Sequence, residues 1–196
     1  MFYYLYCVLM FFDNFRSVLN SKLFCYMCNS RLKRGKAFIE FPSYISGHKY
    51  IEYKKMSSKP GLRIECINQY MGENFNPLLI IGENVSFNFR CHIGVINKII
   101  IGDNVLVGSN VLITDHSHGT GGREEIEIAP VYRKLYSKGP VIIEHDVWIG
   151  EGACILPNVK IGHNSIIGAN TVVTHDVPPY CVFAGNSGTV IKEINH

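Results

Sequence analysis

From residue 81 onward, aliphatic side chains recur at every sixth position, with glycine, asparagine or aspartate between them. The blocks read IGENVS, FNFRCH and IGVINK, then two extra residues, then IGDNVL, VGSNVL and ITDHSH. After a break they resume as IEHDVW, IGEGAC, ILPNVK, IGHNSI, IGANTV and VTHDVP. The first positions are Ile81, Phe87, Ile93, Ile101, Val107, Ile113, Ile143, Ile149, Ile155, Ile161, Ile167 and Val173, all apolar. The fifth positions, such as Val85, Cys91, Val105, Ala153 and Ser165, are mostly small or β-branched. Neither a 3.6-residue helical period nor a plain alternation fits. Each block reads as a short strand with a turn attached, because Gly, Asn and Asp are turn residues. The aliphatic residue points inward and the small one fits a tight corner. Three blocks close one triangular coil, and coils stack about 4.8 Å apart through parallel pairing. Weaker matches extend upstream at Ile39, Ile45 and Ile51, with further strands expected around 62–67 and 78–81.

Two segments leave the period. Residues 1–38 are too densely apolar between Tyr4 and Leu19 for a clean amphipathic face. They read as a helical or irregular cap, which a stacked coil needs at its end. The coil domain spans 39–196, with a loop insertion at 118–142 and a C-terminal tail at 179–196. Long loops on a rigid scaffold usually carry function.

Composition narrows the class. A chain of 196 residues suits one domain, and 47% hydrophobic against 18% charged residues excludes intrinsic disorder. The opening run MFYYLYCVLMFF is twelve residues, short of the ~20 needed to span a bilayer. It has no basic flank and no small-residue cleavage site, so a cytoplasmic protein is expected. Seven cysteines at irregular spacing suit reduced thiols. Cys25-Tyr-Met-Cys28 is a lone CxxC with no second half to complete a zinc site.

The net charge of +3 hides an uneven distribution. Residues 16–63 carry eleven Lys/Arg against two acids, and residues 64–196 carry eight against thirteen. The basic stretch and the aromatic first residues suggest peripheral contact with an anionic inner membrane face, a lipid-linked glycan or a neighbouring chain. A solvated basic cap is the plainer alternative. Nucleic acid is not among the expected partners.

Candidate chemistry gathers where the period breaks. Residues 114–118 read Thr-Asp-His-Ser-His. A histidine at a loop junction can act as a general base near neutral pH. Alone, such a segment is more often structural. Its setting is more specific: Asp115-His116-Ser117-His118, then the insertion, then Gly139, Pro140, Val141 and Ile143. With the repeat, this pattern resembles the hexapeptide-repeat acyltransferases, most nearly the polysaccharide and sugar O-acetyltransferases related to the galactoside and maltose enzymes. The secure part of the resemblance covers about 81–196.

The resemblance implies an all-β solenoid, a left-handed parallel β-helix, with an N-terminal cap and one extended loop. It implies acetyl transfer from acetyl-CoA, with no metal, to a sugar hydroxyl of a capsule, O-antigen or exopolysaccharide or its precursor. His116 would be the general base in direct attack, with both substrates held together. Asp115 would orient the imidazole, although adjacent side chains often point apart. His118 is the runner-up base or an acceptor contact, and Arg90 is assigned to the acceptor. Trp148, the only tryptophan, would shape the site and meet the donor arm. The amide of Glu151 or Gly152 would receive the thioester oxyanion. Ala169, Thr174, His175 and Lys192 are the remaining donor contacts. Here His175 stands where the family carries Lys, and Thr189 and Ser187 replace a basic residue and a proline, so the anion site has fewer charges. The resemblance also implies a homotrimer with sites between neighbouring chains. Competing readings are an N-acetyltransferase for a nucleotide-linked amino sugar, a zinc lyase drawing on His116, His118, His145 and His163, and a non-catalytic scaffold.

Overall fold

The computed structural model describes residues 35–194, together with 15, 16, 18–23 and 26. Its strands form three main sheets, which the chain visits in strict rotation. The first face holds Lys36–Ile39, Lys55–Ser58, Val85–Phe87, Leu106–Val107, Trp148–Ile149, Ile166–Ile167 and Cys181–Ala184. The second holds Tyr44–Ser46, Arg63–Cys66, His92–Val95, Leu112–Thr114, Cys154–Ile155 and Val172–Val173. The third holds Ile51–Tyr53, Leu78–Ile81, Lys98–Ile101, Val141–Ile143 and Val159–Ile161. Pairing within each face is parallel, one coil to the next. A final strand, Thr189–Glu193, folds back antiparallel on Cys181–Ala184 and ends the first face.

The six-residue period is the cause of this architecture. Every first-position residue is at most 2% exposed. Burying each such aliphatic side chain contributes roughly 1.5–3 kcal/mol. The upstream matches Ile39, Ile45 and Ile51 are buried too, one on each face. Among fifth positions, Ser165 and Thr171 are fully buried and satisfied. Ser165 donates to the Pro178 carbonyl at 2.7 Å, and Thr171 accepts from the Gly185 amide at 3.2 Å.

The turns explain the other positions. Asn84, Asn104, Asn110, Asn158, Asn164 and Asn170 all have φ between 55° and 64°, the left-handed region that asparagine tolerates best after glycine. The glycine that follows the aliphatic residue answers a different need. A Cβ on Gly102 would lie 2.7 Å from the Glu144 carbonyl carbon, and one on Gly150 would lie 2.6 Å from the Ala169 nitrogen. The next coil's backbone occupies that space.

The first strand begins at Lys36, three residues before the boundary drawn from the period. The excursion opens and closes through an antiparallel pair, Ser117–His118 with Leu135–Tyr136, and the coil resumes at Val141. Before residue 35 the described residues of the N-terminal segment are helical, and Ser21 accepts from the Phe41 amide at 2.9 Å. Its first fourteen residues and the Cys25/Cys28 pair lie outside the described residues. No helix among the described residues is long and apolar enough to cross a membrane.

Candidate active site

Leu112–Thr114 is the last strand of the second face before the excursion, and the chain bends sharply after it. The bend lets two sequence neighbours face each other. Asp115 is fully buried. Its Oδ1 accepts from the Ile96 amide at 2.9 Å and its Oδ2 from the Asn97 amide at 2.8 Å. The same Oδ1 lies 3.0 Å from His116 Nδ1. A carboxylate held by two backbone donors is a fixed acceptor, so Nδ1 carries the proton and donates. Thr114 Oγ1 lies 3.3 Å from the same nitrogen and accepts from the His116 amide at 3.3 Å.

The other edge of the ring lies over Gly94. A Cβ there would sit 3.0 Å from His116 Cε1 and 3.7 Å from Nε2. Glycine therefore leaves the space into which the Nε2 edge projects. That space is a recess of about 370 Å³ on the second face, between the coil and the excursion. An imidazole tethered through Nδ1 presents Nε2 as a proton acceptor to whatever occupies it.

One coil earlier, Arg63 and Glu65 stand beside His92 and Gly94 in register. Glu65 Oε2 accepts from the Arg63 guanidinium at 2.7 Å and lies 3.0 Å from His92 Nε2. Burial holds the His92 ring below its usual titration range, only partly offset by Glu65, so it is neutral at pH 7 and donates. Tyr70 and His118 meet edge to face, with centroids 5.6 Å apart, and form an aromatic wall. Tyr70 sits in a small hairpin, Gln69–Tyr70 with Glu73–Asn74, which also clips the excursion. Its hydroxyl donates to the Val131 carbonyl at 3.3 Å, and Glu73 pairs with Lys134. Behind Asp115, burial and then the Asp115 charge push the Cys66 thiol up to about 12, so it stays neutral.

The remaining sequence candidates lie elsewhere. Trp148 is on the first face, 52% exposed, in a column that runs in register through Leu106, Trp148, Ile166 and Val182 to Lys192. Within one chain it does not line the recess with His116. Arg90 does not line it either; its Nε donates to Asn110 Oδ1 at 2.8 Å at the corner between the first two faces. Glu151 accepts from Asn110 Nδ2 at 3.2 Å on that same corner. The Gly152 amide already donates to the Ser109 carbonyl at 2.8 Å, so it is not open to an oxyanion. Ala169, Thr174 and His175 are exposed turn residues of the later coils, with His175 against Phe183. His145 and His163 stack on each other at the corner between the third and first faces, apart from His116 and His118. Among the described residues no three His, Cys, Asp or Glu side chains converge as for a metal ion. Arg63, Glu65, His92 and Tyr70 escaped the sequence reading, because outward strand positions carry no period to mark them.

Residues 140–175 match the family model described as bacterial transferase hexapeptide (six repeats), and residues 98–120 match that of a hexapeptide repeat of succinyl-transferase. The chain is 32% identical over 186 residues to the Escherichia coli K12 protein named "Putative lipopolysaccharide biosynthesis O-acetyl transferase WbbJ", covering 92% of this chain and 87% of that one. It is 40% identical over 120 residues to the galactoside O-acetyltransferase of the same organism, covering 59% of this chain and 54% of the relative. The chain thus spans about half the length of that enzyme. A solved galactoside acetyltransferase in complex with coenzyme A superposes with a TM-score of 0.55 at 31% identity, covering 83% of this chain and 64% of the other.

Proposed function

The chain belongs to the hexapeptide-repeat transferases, and from that premise we propose that it is an acetyl-CoA-dependent O-acetyltransferase acting on a sugar hydroxyl of a surface polysaccharide or its precursor. The observation that carries this reading is the buried Asp115 carboxylate, which holds His116 by Nδ1 and leaves Nε2 facing a recess. His116 Nε2 takes the proton of the acceptor hydroxyl while that oxygen attacks the acetyl carbonyl carbon. The carbon–sulfur bond breaks, and the departing thiolate leaves as coenzyme A with the proton returned by the imidazolium. Asp115 steadies the charge that forms on the ring during the transfer. Holding both substrates together supplies the advantage without a covalent enzyme intermediate.

The rotating three-faced coil is read as a left-handed β-helix. The donor lies along the apolar column of Leu106, Trp148, Ile166 and Val182, with Ala169 beside it and Lys192 near the adenosine phosphates; Thr174 and His175, beyond the second face, meet it from a neighbouring chain. The Glu151 amide is the remaining candidate for the thioester oxyanion. Trp148 and His116 serve one site from neighbouring chains of a homotrimer, since one chain holds them on different faces. The oligomer is tested by sedimentation, which should give three times the 22.1 kDa chain mass.

The deciding experiment is an acceptor screen with acetyl-CoA, read as acetyl gain on the glycan by mass spectrometry. A base-labile product identifies an ester; a base-stable one identifies an amide and an amino-sugar acceptor. His116→Ala should lose about 10²–10⁴-fold in rate with its melting temperature unchanged. Full activity in that variant would remove His116 as the base.

A further inference from the structure

We propose that Arg63, Glu65 and His92 form the acceptor-selecting side of the recess and fit it for a neutral, hydroxyl-rich sugar. This rests on the O-acetyltransferase reading and adds a charge rule to it. Arg63 and Glu65 are the recess's two formally charged lining side chains, and their 2.7 Å contact offsets one charge with the other. His92 adds a neutral ring that donates to the same Glu65 oxygen at 3.0 Å. Both bonds fall on Oε2, so the carboxylate is oriented while Oε1 has no part in either bond. A carboxylate fixed in this way accepts strongly from sugar hydroxyls, and a half-exposed guanidinium has further N–H groups to donate to ring and hydroxyl oxygens. An acidic sugar would meet Glu65 with no spare cation to receive it. An amino sugar with a free ammonium would meet Arg63 with no spare carboxylate. The aromatic wall of Tyr70 and His118 gives the apolar C–H face of a sugar ring a surface to rest on.

The test is direct binding by titration calorimetry, with methyl hexoside, methyl hexuronide and methyl hexosaminide as probes. The full chain, Glu65→Gln and Arg63→Met are compared after their melting temperatures are matched. The native chain should bind the neutral glycoside at least about tenfold more tightly than either charged one, the scale of one charge-assisted contact. Glu65→Gln frees the Arg63 charge and should move the preference to the hexuronide. Arg63→Met frees the Glu65 charge and should move it to the hexosaminide. If Glu65→Gln does not fold, Arg63→Met alone decides. Native preference for a charged probe, an unchanged order in the variants, or no binding of any probe overturns the proposal. Binding as predicted without acetyl transfer would overturn the O-acetyltransferase reading and leave the charge rule standing. Acetyl transfer with unmoved selectivity would do the reverse.

Discussion

The coil has two kinds of corner. Where the first face meets its two neighbours, the chain turns through left-handed residues that stack from coil to coil. Asn84 donates to Asn104, which donates to Asp146; Arg90 donates to Asn110, which donates to Glu151. Between the second and third faces, three successive coils depart from the pattern. They extrude the hairpin at 69–74, then two extra residues near Asn97, then the excursion from 117. The fifth-position residues Asn97 and Ser117 are exposed there, whereas their counterparts at the stacked corners are buried. Regular corners supply stability by repetition. The irregular corner is released from stacking and gathers His116, Tyr70 and His118 around one recess.

Substitutions at the two kinds of corner should separate activity from stability. Asp115→Asn has the largest expected effect, because both the proposed chemistry and the local packing draw on Asp115. Three donors converge on its carboxylate, and a carboxamide offers one oxygen in place of two. Acetyl transfer should fall by about 10²-fold or more, with roughly 1–3 kcal/mol lost in urea unfolding; unchanged kcat/KM would separate Asp115 from the chemistry. Gly102→Ala strikes a stacked corner, where the new methyl meets Glu144 backbone at 2.7 Å. It should cost about 1–3 kcal/mol while kcat per folded molecule stays at the native value. Loss of activity without loss of stability would contradict the division.

Gly94→Ala is the converse. The methyl arrives 3.0 Å from His116 Cε1, a side chain that can yield by a few tenths of an ångström. Displacing the proposed base should slow acetyl transfer about tenfold with little change in melting temperature. Glu144→Gln should have the smallest effect. The bond from Lys160, then those from His163, hold the Glu144 carboxyl at about 2 instead of its usual 4.5. A depressed carboxyl adds stability that is present above pH 4.5 and lost as pH falls toward 2. Lys160 is exposed and Glu144 only partly covered, so about 0.2–1 kcal/mol is expected. The urea-unfolding profile of the variant should be flatter across that window, and an unaltered acid slope would show that the bridge contributes nothing.

Much of the coil was readable in the chain because its period is a packing rule. A residue that must point inward every sixth position cannot vary freely, and Ile81 through Val173 display this. Asp115 and His116 were readable as a pair but not as a contact, since adjacency ordinarily sends side chains apart. The bend that joins them depends on the Ile96 and Asn97 amides of the preceding coil. Glu65 and His92 were not readable. Outward strand positions obey no period, and their partnership arises only when coils stack in register. The distance of Trp148 from His116 is likewise a property of the faces, not of the intervening sequence.

The strand Thr189–Glu193 has a consequence beyond closing the first face. A parallel coil with an open last rung is a template on which another molecule's first rung could continue, and repeated docking would build a fibre. This strand reverses direction, pairs through a register shift between Val182 and Phe183, and carries Lys192 and Glu193. Reversal, bulge and charge each spoil the edge for a parallel newcomer. On that face the edge of Cys181–Ala184 is therefore covered by a strand that gives a parallel newcomer no ready partner.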